Sequence, residues 1–125
     1  MYKIEKIGKY HLYTKIIGTF PPSVAKKFID EFEEKTKNLK MFSVIVDGLD
    51  FILLNLKSFE IVLEFLKKNN DRLVKSAYII ARNPVLDKEA QILLDRADSP
   101  KRKIVENLDD AKKWIGISEI KIEKD

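Results

Sequence analysis

Apolar and polar residues alternate over 2–7 and again over 10–17, with Gly8-Lys9 between the two runs. A period of two is that of a half-buried strand, and a two-residue break suits a tight hairpin turn. In the second run Tyr10, Leu12, Thr14 and Ile16 share one face, and His11, Tyr13, Lys15 and Ile17 share the other. Past Gly18 the period changes. Val24, Phe28 and Phe32 recur every four residues with Ala25 and Ile29 beside them, while Lys26, Lys27, Glu31, Glu33 and Glu34 take the remaining surface. This predicts an amphipathic helix over 23–38, capped by Ser23. Residues 41–46 form a short run without alternation, as expected of a strand covered on both faces, and Asp47-Gly48 reads as the turn that ends it.

A second helix is predicted over 56–68, with apolar residues at 56, 59, 62, 63 and 66 and also at 61 and 65. Asn55 and Ser58 both suit its cap. Residues 74–81 read as another central strand. Asn83-Pro84 starts a third helix, with Asn as cap and Pro at the first helical position, where no N–H is needed. Its inner face is Leu86, Ala90, Leu93 and Ala97, and Asp98-Ser99-Pro100 ends it. A short strand follows over 103–105. Asn107 caps a last helix, with Asp109 and Asp110 in its positive first turn, Ala111, Trp114 and Ile115 as its buried set, and Gly116 as its left-handed stop. Residues 117–122 alternate and read as a frayed edge strand within a loose tail, 117–125.

The order is ββαβαβαβα, an α/β domain with a mixed, mostly parallel sheet covered by helices, since strand–helix–strand connections are right-handed and parallel. The 125 residues suit a single domain, 1–125. With 45% hydrophobic and 35% charged residues, the chain has the balance of a globular protein rather than a disordered one. Its 24 basic and 20 acidic residues leave +4, a mild excess spread along the chain. Only Lys101-Arg102-Lys103 is compactly basic, and no aromatics interleave with it, which disfavours a nucleic-acid partner. There are no cysteines, so disulfides, thiolate metal sites and a Cys nucleophile are excluded. MYKIEKIGKYHLYTK has no uncharged run long enough for a signal peptide, and no apolar run is long enough to span a bilayer. A cytoplasmic location is expected.

The pieces VIVDGLDFILLN, KSAYIIARNPVLDKEAQILLD and ENLDDAKKWIG, in this order, resemble the STAS fold, and more narrowly its SpoIIAA-like branch, grouped with CRAL-TRIO-like proteins. The resemblance implies a non-enzymatic regulatory or protein-interaction domain, with a protein partner or a homodimer. Its CRAL-TRIO side implies the alternative, a lipid or small apolar ligand held between helices. STAS antagonists carry a Ser or Thr at the start of the second helix, in an Asp-Ser-Ser-Gly-like loop, which a partner kinase phosphorylates. Here the matching positions are Asn55, Leu56 and Lys57, with Ser58 where Gly would stand, so the phosphoacceptor pattern is absent. Ser58 reads as a cap or helix residue. In the first turn a phosphomimic there should be tolerated, because a helix N-terminus favours negative charge.

The candidate partner or ligand surface is therefore Asp47, Gly48, Asp50, Asn55, Leu56, Ser58, Phe59 and Val62. Asp47 and Asp50 at a strand exit have the chemistry to hold a hard cation, but Asp in such a loop more often accepts loop N–H groups. Arg82 and Asn83 precede a helix N-terminus and form a candidate anion contact. His11 has no second His or Cys to complete a metal site, and its strand neighbours make it an edge residue. No Gly-rich phosphate loop exists, since the four glycines stand apart at 8, 18, 48 and 116. No catalytic residue, metal or cofactor is expected. The apolar surface of 51–66 exceeds the single stripe that a helix on a sheet requires, which predicts deep burial or an apolar contact surface.

Overall fold

The computed structural model describes residues 1–53, 55–80 and 84–117. The elements are β1 (Tyr2–Lys6), β2 (His11–Thr19), α1 (Pro22–Thr36), β3 (Phe42–Leu53), α2 (Leu56–Lys68), β4 (Leu73–Ile80), α3 (Pro84–Ala97), β5 (Arg102–Val105) and α4 (Leu108–Ile115). The strands lie side by side in chain order, β1 antiparallel to β2 and every later pair parallel. Because each parallel step moves the same way across the sheet, right-handed crossovers put α1, α2 and α3 on one face. There Ile4, Leu12, Phe20, Phe28, Phe32 and Val44 form the main core, extended by Phe59, Leu63, Leu66, Leu93 and Ala97 between helices. On the other face Ile7, Ile45, Ala77, Ile79 and Val105 pack against Ala111 and Ile115 of α4.

The α/β order and the SpoIIAA-like architecture agree with the sequence reading, and four local details differ. The hairpin loop is three residues, Gly8 to Tyr10, closed by the Ile7 N–H donating to the His11 carbonyl at 2.9 Å. Tyr10 therefore leaves the strand. Ser23 does not cap α1; Pro21 occupies the cap position, Pro22 opens the helix with no N–H to satisfy, and no side chain caps it. Asn55 and Asn107 do cap α2 and α4: Asn55 Oδ1 accepts from the Lys57 and Ser58 N–H groups, and Asn107 Oδ1 from that of Asp110. Gly116 stops α4 at a φ of 78°, where a side chain would be strained.

The largest correction concerns Asp47-Gly48. No turn ends the strand there; β3 runs on to Leu53. Gly48 pairs with Ile80 of β4, and a Cβ on it would lie 3.1 Å from the Ile79 carbonyl oxygen, so glycine serves close strand approach. Part of the apolar surplus in 51–66 thus belongs to a strand rather than to a helix.

Trp114 was expected to be buried with Ala111 and Ile115. The latter two are buried, whereas Trp114 is half-buried, its Nε1–H donating to the Ser76 carbonyl at 2.9 Å. The Lys75 and Lys103 ammonium groups stand 4.3 and 5.1 Å from its ring centre. The predicted edge strand over 117–122 lies, beyond Ile117, outside the described residues.

Candidate functional site at the carboxyl ends of the parallel strands

The parallel strands β2, β3, β4 and β5 all end on one side of the sheet, and α1, α2, α3 and α4 all start there. In sheets of this kind ligands and partners meet the carboxyl ends of the strands. Met1, which exchanges backbone hydrogen bonds with Ile17 of β2, is exposed on this side, and so are Leu49 near the end of β3, Leu56 opening α2, Val85 in the first turn of α3 and Leu108 opening α4. Leu56 is 78% exposed, the most open of them.

The candidate surface residues divide between the two faces. Lys15 pairs with Asp47, but the next match is Ile17 with Asp50, so β3 contains one residue more than β2 across this step. Such a bulge interrupts the alternation of side chains along β3. It brings Asp47 and Asp50, three apart in sequence, onto the same face as Tyr13, Lys15 and Ile17. Asp47 is buried; one carboxylate oxygen accepts from the Leu49 N–H at 3.1 Å and the other from the Tyr13 hydroxyl. Asp50 is exposed and pairs with Lys15 at 3.1 Å. Burial, then the hydrogen bond to Asp47, then its negative charge hold the Tyr13 hydroxyl protonated well above the ordinary tyrosine value. The hydrogen bond to Asp50, followed by the charges of Asp47 and Asp50, raises the Lys15 ammonium. The two carboxylates are thus engaged by this chain's own donors, and among the described residues no group of three His, Cys, Asp or Glu is placed to hold a metal.

The other candidates stand on the helix-covered face. Ser58 is 0% exposed and its Oγ has no hydrogen-bond partner, so it is a buried helix residue and neither cap nor open hydroxyl. Phe59 is buried and Val62 half-buried, while Asn55 and Leu56 are exposed. Arg82 and Asn83 lie outside the described residues. His11 is half-buried near the start of β2.

Under these helices lies an apolar cavity of about 130 Å³, between the sheet and α1, α2 and α3. Two of its lining residues, Glu89 and Arg102, escaped the sequence reading. Each carried a signal: Glu89 stands three residues after Leu86 and four before Leu93, on the inner stripe of the helix, and Arg102 shares its strand face with Ile104.

With this geometry in place, the chain defines an α/β domain of SpoIIAA-like fold. Among solved structures, it is similar to an uncharacterised protein of the DUF3478 family with a SpoIIAA-like fold from Shewanella loihica PV-4, with a TM-score of 0.71 and 16% identity over 92% of each chain. It is similar also to the anti-sigma factor antagonist SpoIIAA in its unphosphorylated form, with a TM-score of 0.62 and 7% identity over 88% of this chain and 92% of that one. At these identities the likeness is one of fold. No protein-family model and no curated protein matches the sequence.

Proposed function

We propose that this chain is a non-enzymatic, STAS-like interaction domain that works by binding a protein, either another polypeptide or a second copy of itself, at the carboxyl ends of its parallel strands. The observation that carries this reading is the group of exposed apolar residues Leu49, Leu56, Val85 and Leu108 on one side of the sheet. Exposed apolar side chains gathered at one place mark contact sites more often than scattered ones do. The likeness to a protein named for antagonising an anti-sigma factor supports the class.

The contact works without the phosphoserine switch of STAS antagonists. Asn55, Leu56 and Lys57 offer no hydroxyl, and the nearby Ser58 is fully buried, where a kinase has no access. Leu56→Asp tests the reading: the variant should fold as the parent does and lose the complex. Unchanged association in that variant moves the contact elsewhere.

The second reading, a lipid or small apolar ligand between helices, has the cavity in its favour. At about 130 Å³ the space falls below the roughly 300 Å³ at which ligand pockets begin. It is nearer the 150 Å³ cavity that admits benzene. A small molecule fits this space better than an acyl chain.

A further inference from the structure

Among the described residues β1 is the outermost strand of the sheet, paired with β2 on one side. The backbone register shows what its other side presents. The Ile17 N–H donates to the Met1 carbonyl at 2.8 Å and the Met1 amino group to the Ile17 carbonyl at 3.2 Å, while the Ile7 N–H donates to the His11 carbonyl at 2.9 Å. Opposed residues of an antiparallel pair alternate between hydrogen-bonded and non-bonded. The bonded positions are therefore Met1, Lys3, Glu5 and Ile7, and the N–H and C=O groups of Tyr2, Ile4 and Lys6 point away from β2. Such an edge is a template for a further strand. Lys3 stands opposite Lys15, a like charge, and among the described residues neither Lys3 nor Glu5 forms an ion pair.

Lysine on an edge strand usually resists pairing. The order of charges on β1 reverses this for one partner. We propose that β1 pairs antiparallel with β1 of a second copy about a two-fold axis through Ile4, joining the two five-stranded sheets edge to edge. Ile4 then faces Ile4 of the second copy and Tyr2 faces its Lys6, so all the outward groups are used, each facing pair exchanging two hydrogen bonds. Lys3 and Glu5 fall at the closer, non-bonded positions, where Lys3 faces Glu5 of the second copy and Glu5 faces its Lys3. An axis one residue away sets Lys3 against Lys3, or Glu5 against Glu5, and leaves outward groups unused. The pairing is thus self-complementary in one register, as a two-fold contact requires. Two five-residue strands make a small contact beside the roughly 1,200 Å² of a stable complex, so its Kd is on the order of 100 μM or more. It lies apart from the carboxyl-end surface proposed above and is independent of it.

Sedimentation velocity of the full chain from about 10 μM to 1 mM, a range that brackets this Kd, tests the pairing. The parent should pass from monomer to dimer across the range. Lys3→Glu alone and Glu5→Lys alone, each folded by circular dichroism, set like charges opposite each other and should weaken the dimer about tenfold or more. An equimolar mixture of the two variants restores opposite charges at both positions and should dimerise as the parent does, and so should the double variant Lys3→Glu/Glu5→Lys. Amide NMR shifts should move with concentration most at Tyr2, Ile4 and Lys6. Leu56→Asp should leave this self-association unchanged, which separates it from the carboxyl-end surface. A parent that stays monomeric to 1 mM, single variants that dimerise like the parent, or a mixture that fails to recover overturns the proposal. Self-association lost in Leu56→Asp but kept in the charge variants belongs to the carboxyl-end surface and overturns it too.

Discussion

Ser58 shows how one side chain changes meaning between sequence and structure. Read along the chain it is a hydroxyl at a helix start, where negative charge is welcome; in the fold it is fully buried with an unpartnered Oγ. A charge there has to be buried as well, so the expected tolerance of a phosphomimic is reversed. Ser58→Asp should lower the free energy of unfolding by about 3 kcal/mol or more, as burial of an unpaired charge does. Ser58→Ala removes an unsatisfied group and should be neutral or slightly stabilising. Urea denaturation of the two variants checks this; an Asp variant as stable as the parent would show that the site opens. Tyr13 and Lys15 contribute to the alkaline limit. Both hold their protons more tightly when folded than unfolded, against ordinary values of 10.0 and 10.5. Their contribution is full below those values and is lost as pH rises through the raised folded ones. Stability should therefore fall from about pH 10 upward, and Tyr13→Phe should flatten the fall in urea midpoints measured across that range.

Among the elements, those legible in the sequence had local causes. The Asn caps of α2 and α4, Pro84 at the start of α3 and Gly116 after α4 each answer a backbone need within one turn of helix. The length of β3 was not legible, because its cause lies in other strands. Asp47-Gly48 reads as a turn until Tyr13 and the Leu49 N–H are known to engage the carboxylate and β4 to pass close to the glycine. The split of the candidate site follows from the same bulge, which no spacing rule announces. At Gly48 an added methyl must push against the Ile79 backbone, so Gly48→Ala should destabilise by about 1–3 kcal/mol, as overpacking does. Thermal unfolding measures it; no loss would mean that β3 and β4 separate more freely here than their pairing implies. In α4, Trp114 is half-buried, and Trp114→Ala should cost about 2–3 kcal/mol, below the 3–5 typical of a core Trp. A urea midpoint equal to the parent's would remove α4 from the stabilising core.

At the scale of the whole molecule, the sequential strand order fixes where contacts are made. Three helices cover one face and α4 covers β3, β4 and β5 on the other, while the carboxyl ends of four strands and the starts of four helices converge on one side. The class of fold was legible because alternation and helical period switch in the order that a mostly parallel sheet requires. The exposed apolar group was legible only at Leu56, since Leu49, Val85 and Leu108 gather there through topology alone. Among the described residues no helix is long and apolar enough to cross a membrane, so this apolar surface does not belong to a membrane-spanning helix. Native mass spectrometry of the protein isolated from the organism that makes it, beside its Leu56→Asp variant, tests the central claim most directly. The parent should appear with a bound polypeptide or as a homodimer, and the folded variant as a monomer. A parent that is monomeric and bound to no polypeptide, or a variant that keeps the parent's complex, would contradict association through this surface.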